Sequence, residues 1–150
     1  MISLKKKQSG FTIVELLIVI VVIGILAAIV ITTFTGVQKK GRDADRKSDI
    51  NSMYSQVEVY FAENGKYPTL TDMNSSTFRT NSLKGLSDDA LTDPKGSGAT
   101  LVGAPAANSY SYAVTPAGCD NTTTGGDCLG FTLTATLESG GTFAKNGSNN

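Results

Sequence analysis

The sequence predicts an α+β protein in which one long N-terminal α-helix packs against a small antiparallel β-sheet. Two patterns predict the helix: an apolar run that begins at Phe11, and an amphipathic stretch of helical period that follows it. A third pattern predicts the sheet, because apolar and polar residues alternate in short segments near the C-terminus. Each pattern occupies its own part of the chain, so helix and sheet residues are segregated rather than interleaved.

The apolar run is long enough to cross a membrane. From Phe11 to Phe34 it would form a helix of about 36 Å at about 1.5 Å per residue, against a hydrocarbon core of roughly 30 Å. Its one ionisable residue is Glu15. Because a carboxylate in lipid is unfavourable and usually has a partner, Glu15 is a candidate functional residue.

The helix is predicted to continue beyond the apolar run, over residues 12–63. A charged block at residues 39–49 is expected either to be a solvated helix face or to pair with other subunits. Asn64 and Gly65 then supply a stop signal, with Pro68 soon after. The apolar residues recur at the spacing of one buried helical face: Ile50, Met53, Tyr54, Val57, Tyr60 and Phe61.

The remainder is predicted to be a loop region followed by three strands. Residues 64–108 show little periodicity, with short helical turns expected near residues 75–79 and 87–91. Alternation predicts strands at residues 109–115, 129–138 and 142–145, and residues 146–150 are expected to be a frayed end. The apolar face of the sheet should lie on the helix.

Composition argues against several functions. The chain is neutral, with 13 basic and 13 acidic residues, so it lacks the basic field that nucleic-acid binding needs. It contains no histidine, the commonest general base and metal ligand. We therefore expect no catalytic residues, no metal, no cofactor and no bound nucleic acid.

Two cysteines lie in the connection between the predicted first and second strands. Cys119 and Cys128 are expected to form a disulfide, which fits an oxidising compartment. A zinc site is disfavoured with two thiols and no histidine.

The sequence Gly-Phe-Thr-Ile-Val-Glu-Leu at residues 10–16, preceded by three lysines at 5–7, resembles the processing site of the type IV pilin and type II secretion pseudopilin superfamily. The resemblance implies that a prepilin peptidase cuts between Gly10 and Phe11 and that the new amine of Phe11 is methylated. It also implies that Glu15 pairs with the terminal amine of a neighbouring subunit as a filament grows. The family's helix-breaking proline is replaced here by Thr32, so melting of the helix at that point is not expected.

The resemblance also implies an organisation and a location. Residues 1–10 would be a cleaved leader, 11–38 the membrane-spanning and filament-core helix, and 39–150 the globular head. Within the head we expect the rest of the helix at 39–63, a loop region at 64–108 and the sheet at 109–145. The precursor would cross the inner membrane once, with its N-terminus cytoplasmic, before joining an extracellular filament.

The function expected from the resemblance is that of the major pilin of a type IV pilus, supporting surface motility, adhesion or DNA uptake. Its partners would be other copies of itself in a helical homopolymer, the prepilin peptidase, and the inner-membrane assembly platform with its ATPases. The alternative is the major pseudopilin of a type II secretion or competence system. A more remote alternative is a membrane-anchored surface binding protein.

Some superfamily members hold calcium in a loop. Asp88, Asp89 and Asp93 lie close together in the predicted loop region, and calcium prefers such oxygen ligands. Solvated turn aspartates are the other explanation for this cluster.

Overall fold

The computed structural model describes residues 10–149, apart from the side chain of residue 32. It confirms the predicted α+β class, with a long helix and a three-stranded antiparallel sheet. The described chain forms two compact units that divide between residues 38 and 39. Residues 1–9, which make up most of the expected leader 1–10, and Asn150 lie outside the described part.

Helix α1 (Ile13–Asn64) is followed by two short helices, α2 (Leu70–Asn74) and α3 (Ser76–Ser82). A 3-10 turn follows at Asp88–Leu91. The strands are β1 (Tyr110–Thr115), β2 (Gly130–Thr136) and β3 (Thr142–Asn146), in the spatial order β1–β2–β3.

The predicted helix and strands agree with these bounds to within two residues. Helix α2 was not predicted, since five residues are too few for a helical period to show. Its start is nevertheless marked by a capping box, in which Thr69 and Asp72 exchange backbone and side-chain hydrogen bonds.

In the first unit, the apolar side chains of α1 are exposed. Phe11 is 82% exposed, and the buried core of the described chain contains no residue from this unit. Among the described residues, α1 is the one helix long and apolar enough to span a membrane. Thr33 bonds its hydroxyl to the carbonyls of Ile29 and Val30, so this polar group is satisfied within the helix.

In the second unit, the C-terminal part of α1 packs against the sheet as predicted. Tyr67 is at the centre of this core: its ring stacks on Phe61 at 4.3 Å and meets Phe131 edge-on at 4.8 Å. The buried apolar residues contributed by α1, β1 and β2 are Ile50, Met53, Val57, Tyr110, Tyr112, Phe131, Leu133 and Ala135.

The chain end departs from the prediction of a frayed terminus. The Gly147 amide donates to the Phe131 carbonyl at 2.9 Å, and the Ser148 amide donates to Glu58 Oε1 at 2.8 Å. Residues 147–149 therefore form a strap along the head, held by backbone groups that sequence patterns do not reveal.

Candidate assembly and processing site

The predicted cleavage junction lies just before α1. Gly10 and Phe11 are both exposed and precede the first helical residue, Ile13. A peptide bond outside the helix has no intrahelical hydrogen bonds to break, so a protease can reach it in extended form.

Glu15 lies in the first turn of α1 and folds back on the start of its own helix. Its Oε2 accepts hydrogen bonds from the Thr12 amide at 2.9 Å and from the Thr12 hydroxyl at 2.7 Å. In return, the Glu15 amide donates to Thr12 Oγ1 at 3.3 Å. These reciprocal bonds form a capping box, which places the carboxylate at the positive end of the helix dipole.

The structure therefore brings Glu15 together with Thr12, a residue that the sequence analysis did not single out. The signal was available, because Thr12-Ile13-Val14-Glu15 fits the Thr-x-x-Glu pattern of a capping box. In the uncut chain the nitrogen of Phe11 is an amide without charge, so Glu15 has no terminal ammonium to pair with.

The head contains an ionic cluster that the sequence analysis also missed. Arg46 is 1% exposed, and its guanidinium contacts three carboxylates. Its Nε and Nη2 lie 2.6 and 2.9 Å from the two oxygens of Asp93, while Nη1 lies 2.8 Å from Asp43 and 3.0 Å from Glu138. We use the term ionic cluster for Arg42, Asp43, Arg46, Asp93, Lys95 and Glu138.

Glu138 receives two more cations at the edge of this cluster. Arg42 binds it with two hydrogen bonds, at 2.6 and 2.8 Å, and Lys95 Nζ lies 2.9 Å from its Oε2. The cluster thereby joins α1, the loop after the 3-10 turn and the β2–β3 turn. It holds three positive and three negative charges, so the charges balance.

The cluster shifts the pKa of its carboxyl groups downward. Burial raises the pKa of Asp43, but hydrogen bonds from Ser139, from the Glu138 amide and from Arg46 outweigh it and lower the pKa to about 2. Burial likewise raises the pKa of Asp93, and the hydrogen bonds from Arg46 lower it further than burial raises it. Hydrogen bonds from Arg42 and Lys95 lower the pKa of Glu138.

The expectation that residues 39–49 form a solvated face is therefore wrong for Asp43 and Arg46, which are buried. The stripe of buried residues on α1 begins two turns earlier than the apolar pattern indicated, since Arg46 and Asp43 lie four and seven residues before Ile50. Charge hid this position from a search for apolar periodicity.

The loop aspartates do not converge on a cation site. Asp93 is bound to Arg46, and Asp88 accepts two hydrogen bonds from Arg79, at 2.6 and 3.1 Å. Among residues 10–149, no group of three or more potential metal ligands is found. The carboxylates of Asp88 and Asp93 are thus bound to arginines, whereas the calcium alternative would require them to face a common metal ion.

Cys119 and Cys128 form a disulfide in the structure. The loop that they close is fixed to the core through Asn121, whose Nδ2 donates to the Tyr67 carbonyl and whose Oδ1 accepts from the Cys128 amide, both at 2.8 Å. Lys66 Nζ donates to the carbonyl of Asn121 at 2.8 Å. The loop is therefore an ordered part of the head.

Comparison with known proteins finds one family motif and several relatives that match part of the chain. The prokaryotic N-terminal methylation motif matches residues 5–31. Type II secretion system core protein G of Aeromonas hydrophila is 38% identical over 65 residues, which cover 43% of this chain and 46% of that protein. The corresponding protein of Dickeya chrysanthemi is 36% identical over 66 residues, covering 44% and 43%.

A pilin is also among the relatives. The type IV major pilin protein PilA of Myxococcus xanthus is 36% identical over 61 residues, which cover 41% of this chain and 28% of that protein. The chain spans less than half the length of these relatives. No solved structure matches the chain.

The relatives mostly carry the type II secretion name, although the motif is shared with pilins. The methylation motif, the relatives and the long helix with its small sheet together support membership of the type IV pilin and type II secretion pseudopilin superfamily.

Proposed function

We propose that this chain is a structural subunit of a filament. The filament would assemble by packing the part of α1 that lies in the first unit against the same part of other copies. The observation that carries the proposal is the methylation motif at residues 5–31, which runs into a helix of exposed apolar side chains. Lipid would cover these side chains in the precursor and neighbouring copies would cover them in the filament, since apolar surface left in water is unfavourable.

Glu15 would set the alignment between copies. After cleavage Phe11 would carry an ammonium group, and a neighbouring copy could present it to Glu15. An ammonium and a carboxylate stabilise each other in apolar surroundings, whereas either one alone is strongly unfavourable. In this proposal the ammonium replaces the hydrogen bonds that Thr12 donates in the uncut chain.

Between the two kinds of filament we favour a pseudopilin, of a type II secretion or competence system. The similarity to core protein G of Aeromonas hydrophila and Dickeya chrysanthemi supports this choice. The major pilin of a type IV pilus is the second candidate, supported by the similarity to PilA of Myxococcus xanthus. Its filament would be extracellular, while a pseudopilus would remain within the envelope.

The proposed partners follow from this assembly. They are other copies of the chain, the prepilin peptidase that cuts after Gly10, and an inner-membrane assembly platform driven by ATPases. The precursor would cross the inner membrane once, with residues 1–10 in the cytoplasm. The proposed role is structural, and the chain would catalyse no reaction itself.

Processing can be tested by intact mass. When the chain is produced together with a prepilin peptidase, we expect the membrane fraction to contain a product that begins at methylated Phe11. Gly10→Val should remain uncut, because it alters the cleavage site, whereas the matched variant Gly36→Val should be cut. A Cβ at either glycine meets no atom within 4 Å, so neither substitution creates a clash within the chain. A wild-type chain that stays uncut under these conditions would contradict the proposal.

Deleting the gene separates the two kinds of filament. Loss of protein secretion or of DNA uptake, without loss of long surface fibres, is expected for a pseudopilin. Loss of long fibres from the cell surface would instead favour the type IV pilus.

A further inference from the structure

Two adjacent lysines of α1 have no partner within the described part of the chain. Lys39 and Lys40 are exposed and make no ion pair or ring contact there, and Lys84 is the one other basic residue among residues 10–149 of which this is true. The basic residues with a carboxylate or aromatic partner are Arg42, Arg46, Lys47, Lys66, Arg79, Lys95 and Lys145.

The position of this pair along α1 matches the headgroup layer of a membrane. The apolar run ends at Phe34, which places the edge of the hydrocarbon core near that residue. At about 1.5 Å per residue, the backbone of Lys39 and Lys40 then lies about 7.5 and 9 Å beyond this edge. The headgroup layer is roughly 5–8 Å deep on each side, and long lysine side chains can reach back toward it, which brings both ammonium groups within range of the headgroups.

We propose that Lys39 and Lys40 bind the phosphate groups of anionic phospholipids, such as phosphatidylglycerol, in the leaflet on the side of the head. The proposal rests on the membrane-spanning role proposed above. An ammonium group offers three hydrogen-bond donors and a compact charge, which suits a single phosphate oxygen better than a forked carboxylate geometry. Basic residues next to a span attract anionic lipids in this way.

Arg42 supports the assignment by contrast. It lies on the next turn of α1, but both ends of its guanidinium fork bind Glu138, so its charge is satisfied within the protein. Lys39 and Lys40 are therefore the charges left for an external anion at this level of the helix. Their lipid contacts would hold the precursor at a fixed depth and would have to break when the subunit leaves the membrane for the filament.

The test uses the full chain reconstituted in phosphatidylcholine bilayers, with spin-labelled phosphatidylglycerol or phosphatidylcholine as the probe. The measured quantity is the preference of the protein-associated lipid population for phosphatidylglycerol. The double variant K39Q/K40Q should lower this preference at least fivefold, the effect of removing about one lysine contact at the membrane surface. The matched variant K84Q/K145Q removes the same charge elsewhere and should retain the wild-type preference.

Two results would overturn the inference. One is an unchanged preference for phosphatidylglycerol in K39Q/K40Q. The other is an equal decrease of this preference in K84Q/K145Q, which would show that the lipid preference depends on net charge and not on the position of the lysines. If K39Q/K40Q kept its lipid preference but failed to polymerise, the lysines would belong to a carboxylate of a second copy instead. Extraction of the wild-type chain from the bilayer at high pH would show that the chain does not span the membrane, which would contradict the proposed function. That result is distinct from a change in lipid preference.

Discussion

Arg46 lies side-on to Asp93, with two parallel hydrogen bonds of 2.6 and 2.9 Å between the guanidinium and the carboxylate. Both side chains are buried, and 47 residues of sequence separate them. The pair fastens α1 to the loop that precedes β1. A forked contact of this kind fixes orientation as well as distance, so it sets how the helix meets the rest of the head.

Replacing Arg46 by methionine should destabilise the head severely. The variant keeps the apolar stem but leaves Asp93 and Asp43 buried without their positive partner, a change that usually costs about 3–5 kcal/mol. The free energy of unfolding can be measured with urea in detergent micelles, following the near-UV circular dichroism of the tyrosines. Lys84→Met at an exposed site should change it by less than about 0.5 kcal/mol, and equal effects of the two variants would contradict the role of the cluster.

Acidification should weaken the same head. The pKa values of Asp43, Asp93 and Glu138 are lower in the folded protein than the usual carboxyl values, so the unfolded chain binds protons more readily. The stability contributed by these groups is complete above about pH 4–4.5, where carboxyls titrate in unfolded chains. It should be lost as the pH falls toward 2, the folded pKa of Asp43. Urea midpoints measured across this interval would show the decrease.

Two variants identify the groups responsible for that slope. Asp43→Asn should flatten the dependence between pH 4 and 2. The pKa shift of Asp49 has the opposite sign, because burial raises its pKa and the hydrogen bond from Tyr110 only partly offsets this effect. Asp49 therefore adds stability as the pH falls and that stability is lost as the pH rises. Removing this contribution in Asp49→Asn should make the loss of stability on acidification steeper. Identical profiles for the wild type and both variants would place the acid sensitivity elsewhere.

Apolar periodicity predicted the part of α1 that packs on the sheet, since Ile50, Met53 and Val57 repeat at helical spacing and are all buried. The same stripe continues through Arg46 and Asp43. Sequence reasoning placed these two residues on a solvated helix face or in pairs with other subunits, because an isolated charge is rarely buried within one chain. Only their partners, 47 and 95 residues away, make burial favourable, and such long-range pairing is not visible in a local pattern.

The chain end raises the same difficulty. Small polar residues gave no reason to expect packing, yet a Cβ on Gly147 would meet the Phe131 ring at 2.8 Å and Tyr67 at 3.1 Å. Gly147→Ala should therefore lower the free energy of unfolding by about 1–3 kcal/mol through overpacking. Gly98→Ala is the matched control, because a Cβ there meets nothing within 4 Å. Equal stabilities of the two variants in urea would show that residues 147–149 are not held as described.

The disulfide should contribute through the loop that it closes. Residues 119 and 128 are nine apart, and a cross-link over about ten residues stabilises by about 2–3 kcal/mol in the chain-entropy model. The double variant Cys119→Ser/Cys128→Ser should lose that amount in a thermal or urea unfolding experiment. Dithiothreitol should lower the stability of the wild type to a similar extent and leave the double variant unchanged. A reductant effect on the double variant would point to another cause.

Glu15 provides the test of assembly itself. In the uncut chain its carboxylate is satisfied by Thr12, so replacing it should leave membrane insertion and cleavage after Gly10 intact. After cleavage, however, Glu15→Ala removes the partner proposed for the Phe11 ammonium of a neighbouring copy, and that charge would be left unpaired in apolar surroundings. We therefore expect processed subunits that remain in the membrane and form few or no filaments, as seen by cell fractionation and electron microscopy.

Glu63→Ala, at an exposed position in the last turn of α1, is the matched control and should assemble normally. Filaments of Glu15→Ala with wild-type yield and subunit spacing would show that alignment between copies does not depend on this carboxylate.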